Sequence, residues 1–150
     1  MPSRLVLLIG ALLATLALAV VASADGGGRP FSIALTGAAE RPGPGDPDAT
    51  GQANLRLNQG QREVCFDISW ADVDGVVFGG HIHIAPVTDP GPIVVPLFAG
   101  SFAGTDTVSG CVDAPKDLIK AIRKNPSAYY VNVHSLPSFG AGAIRGQLSK

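Results

Sequence analysis

The chain predicts an all-β domain: an antiparallel β-sandwich or barrel of about seven or eight strands in Greek-key order, with one short helix. Three observations carry this. After residue 30, apolar side chains recur in short runs that alternate with polar ones, as strands with one buried face do. Clusters of Gly, Pro, Asn and Asp separate these runs as turns would. Helical spacing is found in one stretch, after Asp113. Many short strands with turn signals between them indicate a sandwich or barrel.

The chain begins Met1-Pro2-Ser3-Arg4, followed by an uncharged apolar run from Leu5 to Ala22 and by Ala22-Ser23-Ala24. A basic start, an apolar middle and a small-x-small site make residues 1–24 a secretory signal peptide. The rival reading is an uncleaved anchor, because the run is nearly long enough to span a bilayer. No cysteine follows it, which argues against a lipoprotein. The mature part, residues 25–150, is long enough for one domain with a modest core. Its expected place is extracellular or in the periplasm and cell envelope. After cleavage no second apolar segment would keep it at a membrane. The net charge of −1 lacks the basic excess of a nucleic-acid binder. Two cysteines, Cys65 and Cys111, make an even count in an exported chain and so favour a disulfide. Two buried free thiols are the alternative. A CxxC motif is absent, so a bridge here would be structural.

Each element follows in order. Phe31 to Leu35 alternates large and small side chains and reads as the first strand. Thr36 to Asp48 is rich in Gly, Pro and Asp and reads as an irregular loop. Gly51 to Leu57 puts Ala53, Leu55 and Leu57 on one face, and Asn58 to Gln61 looks like a hairpin turn. Glu63 to Trp70 has the cleanest alternation, with Val64, Phe66, Ile68 and Trp70 pointing one way. Val76 to Ile84 follows, where Gly79-Gly80 suggests a bulge or a close backbone approach. Ala85 to Pro92 is a Pro-rich loop. Ile93 to Phe98 contains Pro96, which argues for an edge strand. Ser101 to Val112 supplies another strand. The helix is expected to start with Asp113 as cap and Pro115 in the first turn. Leu118, Ile119 and Ile122 form its buried stripe, and Asn125-Pro126 ends it. Its basic residues Lys116, Lys120, Arg123 and Lys124 suit a solvated face with charge favourable to the helix C-terminus. Ala128 to His134 and Ala143 to Leu148 complete the set; Asn132 and His134 share a face of their strand, as Arg145 and Gln147 do of theirs.

The histidines carry the chemistry. The chain has three, and His81 and His83 sit two apart on one strand. Residues i and i+2 face the same way, about 6.6 Å apart, so both imidazoles can reach one ion. If the strand of His134 is a neighbour, all three can meet. Three imidazoles with an open position suit copper or zinc. They also suit a metal-free polar cluster, the favoured reading, in which His81 and His83 bond to Asn132, Arg145 or Gln147. Nucleophilic hydrolysis has little support: Ser135 and Ser138 follow His134, but no G-x-S-x-G elbow exists. Glu40 and Glu63 are the only glutamates, which leaves little for paired-carboxylate glycoside cleavage. No glycine cluster lies between a strand and a helix to cradle a phosphate.

Taken in order, Leu35-Thr36-Gly37 with Glu40 and Pro42, Gly51, His81-Ile82-His83, Gly91-Pro92-Ile93-Val94-Val95, Tyr130-Val131-Asn132-Val133-His134 and Ile144-Arg145-Gly146-Gln147-Leu148 resemble the CHRD domain, named for chordin and found in bacterial secreted proteins. The resemblance implies an all-β fold and an extracellular setting. It implies no reaction, and hence a non-enzymatic binding or structural module for an extracellular ligand or protein. One departure is plain: the family's acidic residue before Ile-Arg-Gly-Gln is Ala143 here. The His-x-His pair is also similar to that of the copper-zinc superoxide dismutases, themselves β-sandwiches. Three histidines are too few for a two-metal dismutase, so the alternative is a mononuclear copper or zinc protein with redox activity through His81, His83 and His134.

Overall fold

The structure, a computed structural model, describes residues 27–150. The signal peptide expected over residues 1–24 lies outside the described residues. Among the described residues, no helix is long and apolar enough to cross a membrane.

Eight antiparallel strands make one sheet: β1 (Arg29–Thr36), β2 (Thr50–Asn58), β3 (Glu63–Ala71), β4 (Val76–Ile84), β5 (Ile93–Ala99), β6 (Thr107–Asp113), β7 (Tyr129–Leu136) and β8 (Phe139–Gln147). Their order is β5-β4-β7-β8-β1-β2-β3-β6. The sheet curls until its two end strands, β5 and β6, approach each other, giving a nearly closed barrel. Aromatic rings fill the seam: Phe98 of β5 lies 6.1 Å from Phe66 and 6.2 Å from Trp70, both of β3. The expected all-β sandwich or barrel with one short helix is thus what the chain forms.

The alternation read from the sequence becomes the core. Ala53, Leu55 and Leu57 of β2 and Val64, Phe66, Ile68 and Trp70 of β3 all point inward and are buried. Fully burying a side chain the size of Leu or Ile contributes about 1.5–3 kcal/mol. The helix α1 (Lys116–Lys124) buries Ile119 and Ile122 and leaves Leu118 partly covered, as its stripe implies. Pro96 does sit on an end strand.

Three boundaries differ most from expectation. Asp113 does not cap the helix: it ends β6, paired with Glu63, and the helix cap is Pro115 without a side-chain bond. The ladder of β3 outcompetes the local capping signal. The strand expected over Ser101 to Val112 is shorter, because Phe102 to Asp106 turns to bond back to β3 and β4, where the Asp106 carbonyl accepts from Trp70 N–H and the Val77 carbonyl from Phe102 N–H. The last strand begins earlier, at Phe139, because β7 and β8 form a hairpin closed by Ser135 opposite Phe139.

Cys65 and Cys111 stand directly opposite each other in the β3–β6 ladder and are joined by a disulfide. The bridge ties the end strand β6 to β3, its only ladder partner among the described residues.

Candidate metal centre

Strands β4 and β7 are neighbours, with His81 paired to Asn132 and Gly79 to His134. That register brings the third histidine beside the pair. Gly79 and Gly80 permit it: the β4 registers shift between Val77 and Gly79 and between Gly80 and His81. A side chain at Gly80 would also run into the Phe98 ring. β7 is buried on both faces. One face, Val131 and Val133, enters the core. The other, Tyr130, Asn132 and His134, lines the polar site.

The three rings gather tightly. His81 and His134 lie 4.9 Å apart between ring centroids, His81 and His83 5.6 Å, and His83 and His134 6.3 Å. One nitrogen from each can be chosen so that all three fall within 4.8 Å of one another. His83 and His134 are each 7 % exposed, and His81 is half-buried at the mouth.

Backbone carbonyls set the ring tautomers. His83 Nδ1 is 2.8 Å from the Gly91 carbonyl oxygen and His134 Nδ1 is 3.1 Å from that of Gly140. Each Nδ1–H donates there, so each Nε2 carries a lone pair turned toward the cluster. Histidine metal ligands are commonly held in this way, by a carbonyl on the other nitrogen. His134 Nε2 lies 3.0 Å from His81 Nδ1 and 3.1 Å from Asn132 Oδ1. His83 Nε2 is buried and makes no hydrogen bond of acceptable geometry, though the Asn132 side chain lies near enough to favour the charged ring slightly. Amide ends are assigned from their surroundings, and turning the Asn132 amide gives His134 Nε2 a donor.

Burial keeps all three rings neutral. It lowers His83 and His134 from the usual histidine value, and pushes His81 down to about 4 with help from the adjacent His134 and His83. Neutral imidazoles are the ligand form.

The remaining expected residues support the site from behind. Arg145, 1 % exposed, donates to the carbonyl oxygens of Pro86 and Asp89 and to Gln147 Oε1. Gln147 donates to the carbonyls of Ala85 and Ser127. Together they hold the Ala85 to Pro92 loop, which carries the Gly91 carbonyl that orients His83. Tyr130 is stacked on His83, 4.7 Å between centroids at 6°, and the Arg145 guanidinium sits 3.4 Å from the Tyr130 ring centroid. Asn132 contacts His134 rather than making the expected hydrogen bond to His81 or His83, whereas Arg145 and Gln147 act through the loop and the tyrosine.

Sequence reasoning missed two participants. Tyr130, like Glu40, enters the family motif without a role at the site, though its neighbour Val131 faces the core and the alternation puts Tyr130 with Asn132. Glu40 sits in the Gly- and Pro-rich loop, yet it is 3 % exposed, and its Oε1 has no partner. Burial raises its carboxyl to about 7, against smaller opposing effects from the Arg41 backbone, Arg145 and the Asn132 amide. A second grouping, Glu63 with Cys65 and Cys111, also has ligand spacing. Its sulfurs are committed to the disulfide, so it offers no thiolate.

A family model described as the CHRD domain matches residues 31–148. No curated protein and no solved structure matches the chain.

Proposed function

We propose, from the premise that the chain belongs to the CHRD-domain family, that it is an exported, non-enzymatic binding module whose pocket of His81, His83 and His134 takes one copper or zinc ion. The disulfide and the family membership agree with an extracellular setting. The observation that carries the metal reading is His83 Nε2: a buried, unpartnered lone pair beside two other neutral imidazoles. Buried polar atoms are nearly always partnered, and an ion would satisfy this one. At Zn–N or Cu–N bonds of about 2.0–2.1 Å, ligand nitrogens stand roughly 3.3–3.6 Å apart. The His81–His134 pair at 3.0 Å therefore has to open only slightly.

A second reading has its own observation. That same 3.0 Å contact is a good hydrogen bond from His81 Nδ1–H to His134 Nε2, and it suits a metal-free polar cluster that braces β4 against β7. Titration of the metal-stripped mature protein with copper and with zinc separates the two. The metal reading expects one ion per chain, lost in His83→Ala while far-ultraviolet circular dichroism is unchanged. Binding no tighter than micromolar for either ion would leave the braced cluster as the function of the three rings.

A further inference from the structure

We infer that the three-histidine pocket selects copper in its monovalent state over divalent ions; this rests on the metal-binding reading above. The argument is one of charge. Three imidazoles make up the ligand group, and among the described residues no carboxylate or free thiolate falls within its reach. Neutral imidazoles cancel none of an ion's charge, and His83 and His134 are almost wholly removed from water. Uncompensated charge in such a place is strongly disfavoured, and a second unit makes it worse.

The full charge built into the wall has the wrong sign. Arg145 is buried, and its guanidinium and His83 share the ring of Tyr130, at 3.4 Å and 4.7 Å respectively. The oxygens it touches belong to carbonyls and an amide, at Pro86, Asp89 and Gln147. The cation is therefore not discharged by a contacting carboxylate. Glu40 and Asp89 are the carboxyls near enough to act on Arg145, and neither belongs to the ligand group; Glu40 packs beside Asn132. Coordination number points the same way. Monovalent copper is content with three nitrogen donors, whereas zinc and divalent copper call for a fourth donor or more.

The test compares three ions on the full mature chain at about pH 6, below the value near 7 that burial gives Glu40. Monovalent copper is titrated anaerobically against a chromogenic chelator, and zinc and divalent copper against chelators of their own. The expected result is monovalent copper bound about a hundredfold tighter than zinc, since a whole unit of charge at short range shifts an equilibrium by one to two decades. Two variants should narrow that ratio by about tenfold each. Arg145→Gln removes the cation. Phe78→Glu, independent of the loop that Arg145 holds, adds a carboxylate where the Phe78 ring lies 5.8 Å from His134. If ions bind but zinc or divalent copper binds as tightly as monovalent copper, the selectivity falls and the metal site stands. An unchanged ratio in both variants likewise overturns the charge argument. If no ion binds in any state, both readings fall together.

Discussion

Glu40 is a carboxyl on a glycine- and proline-rich loop, and it is nonetheless 3 % exposed, pressed against Gly142 and the Asn132 side chain. A carboxyl whose folded value is raised binds its proton more tightly in the folded chain than in the unfolded one. Between about pH 4.5 and pH 7, then, the folded state holds a proton that the unfolded state has lost. Glu40 thus favours folding fully below about 4.5, and that advantage fades as pH rises through 7. His81 works the opposite way over an overlapping window. Its folded value near 4 lies below the unfolded value of 6.5, so stability drops as pH falls from 6.5 toward 4. The two slopes partly cancel. Replacing Glu40 with Gln should remove one of them. The expected outcome is a variant whose stability relative to wild type improves by on the order of 1–3 kcal/mol between pH 5 and pH 8. Urea unfolding of the metal-free proteins across that range checks it, and parallel pH profiles would show that Glu40 titrates normally.

The strands that the sequence displays best are those with one dry face and one wet face, such as β2 and β3. Val64, Phe66, Ile68 and Trp70 alternate without a break, and β3 lies where they say. The histidine strand Val76–Ile84 is also legible to the residue, although its burial does not alternate cleanly; the Pro-rich loop after Ile84 marks its end. Elements set by distant partners are not legible. Asp113 carries a good local cap signal, yet it is taken by the ladder opposite Glu63. The buried carboxyls of Glu40 and Asp46 look like ordinary loop residues, since their burial depends on β8 and on the β3–β4 turn, where Asp46 Oδ2 accepts from Asp74 N–H. The meeting of His134 with the pair required the β4–β7 pairing, which periodicity alone cannot give. The β6 strand supplies the prediction at this scale. It is an end strand, mostly exposed along its length, with β3 as its single ladder neighbour. Its hold on the sheet therefore depends heavily on the Cys65–Cys111 bridge, which joins residues 46 positions apart in the chain. The double variant Cys65→Ser with Cys111→Ser should lose about 2–4 kcal/mol. Hydrogen exchange should show β6 amides losing protection first, before those of β4 and β7. Uniform loss across all strands would mean that the bridge stabilises the barrel without any special claim on β6.

At the scale of the whole barrel, two ties serve opposite parts of one sheet. The disulfide joins β3 to β6 at one end of the strand order, and the histidine site joins β4 to β7 toward the other. They share no residue and no hydrogen-bond partner. An ion that binds only the folded chain stabilises it by mass action, about 4 kcal/mol at a free concentration a thousand times its dissociation constant. For a domain of this size that corresponds to a rise in melting temperature of roughly 10–20 °C. Because the ties are separate, their contributions should add. Four forms test this: bridged and Cys-to-Ser protein, each with copper and with the ion stripped by chelator. The stabilisation from the ion should be the same in both backgrounds to within about 0.5 kcal/mol, the usual tolerance for distant sites. A much smaller ion effect without the bridge would mean that freeing β6 loosens the seam of Phe66, Trp70 and Phe98 far enough to reach β4 through β5. Gly80 packs against the Phe98 ring and immediately precedes His81, so that route is physically continuous. Additivity would show that the closed core insulates the histidine pocket from its own far edge.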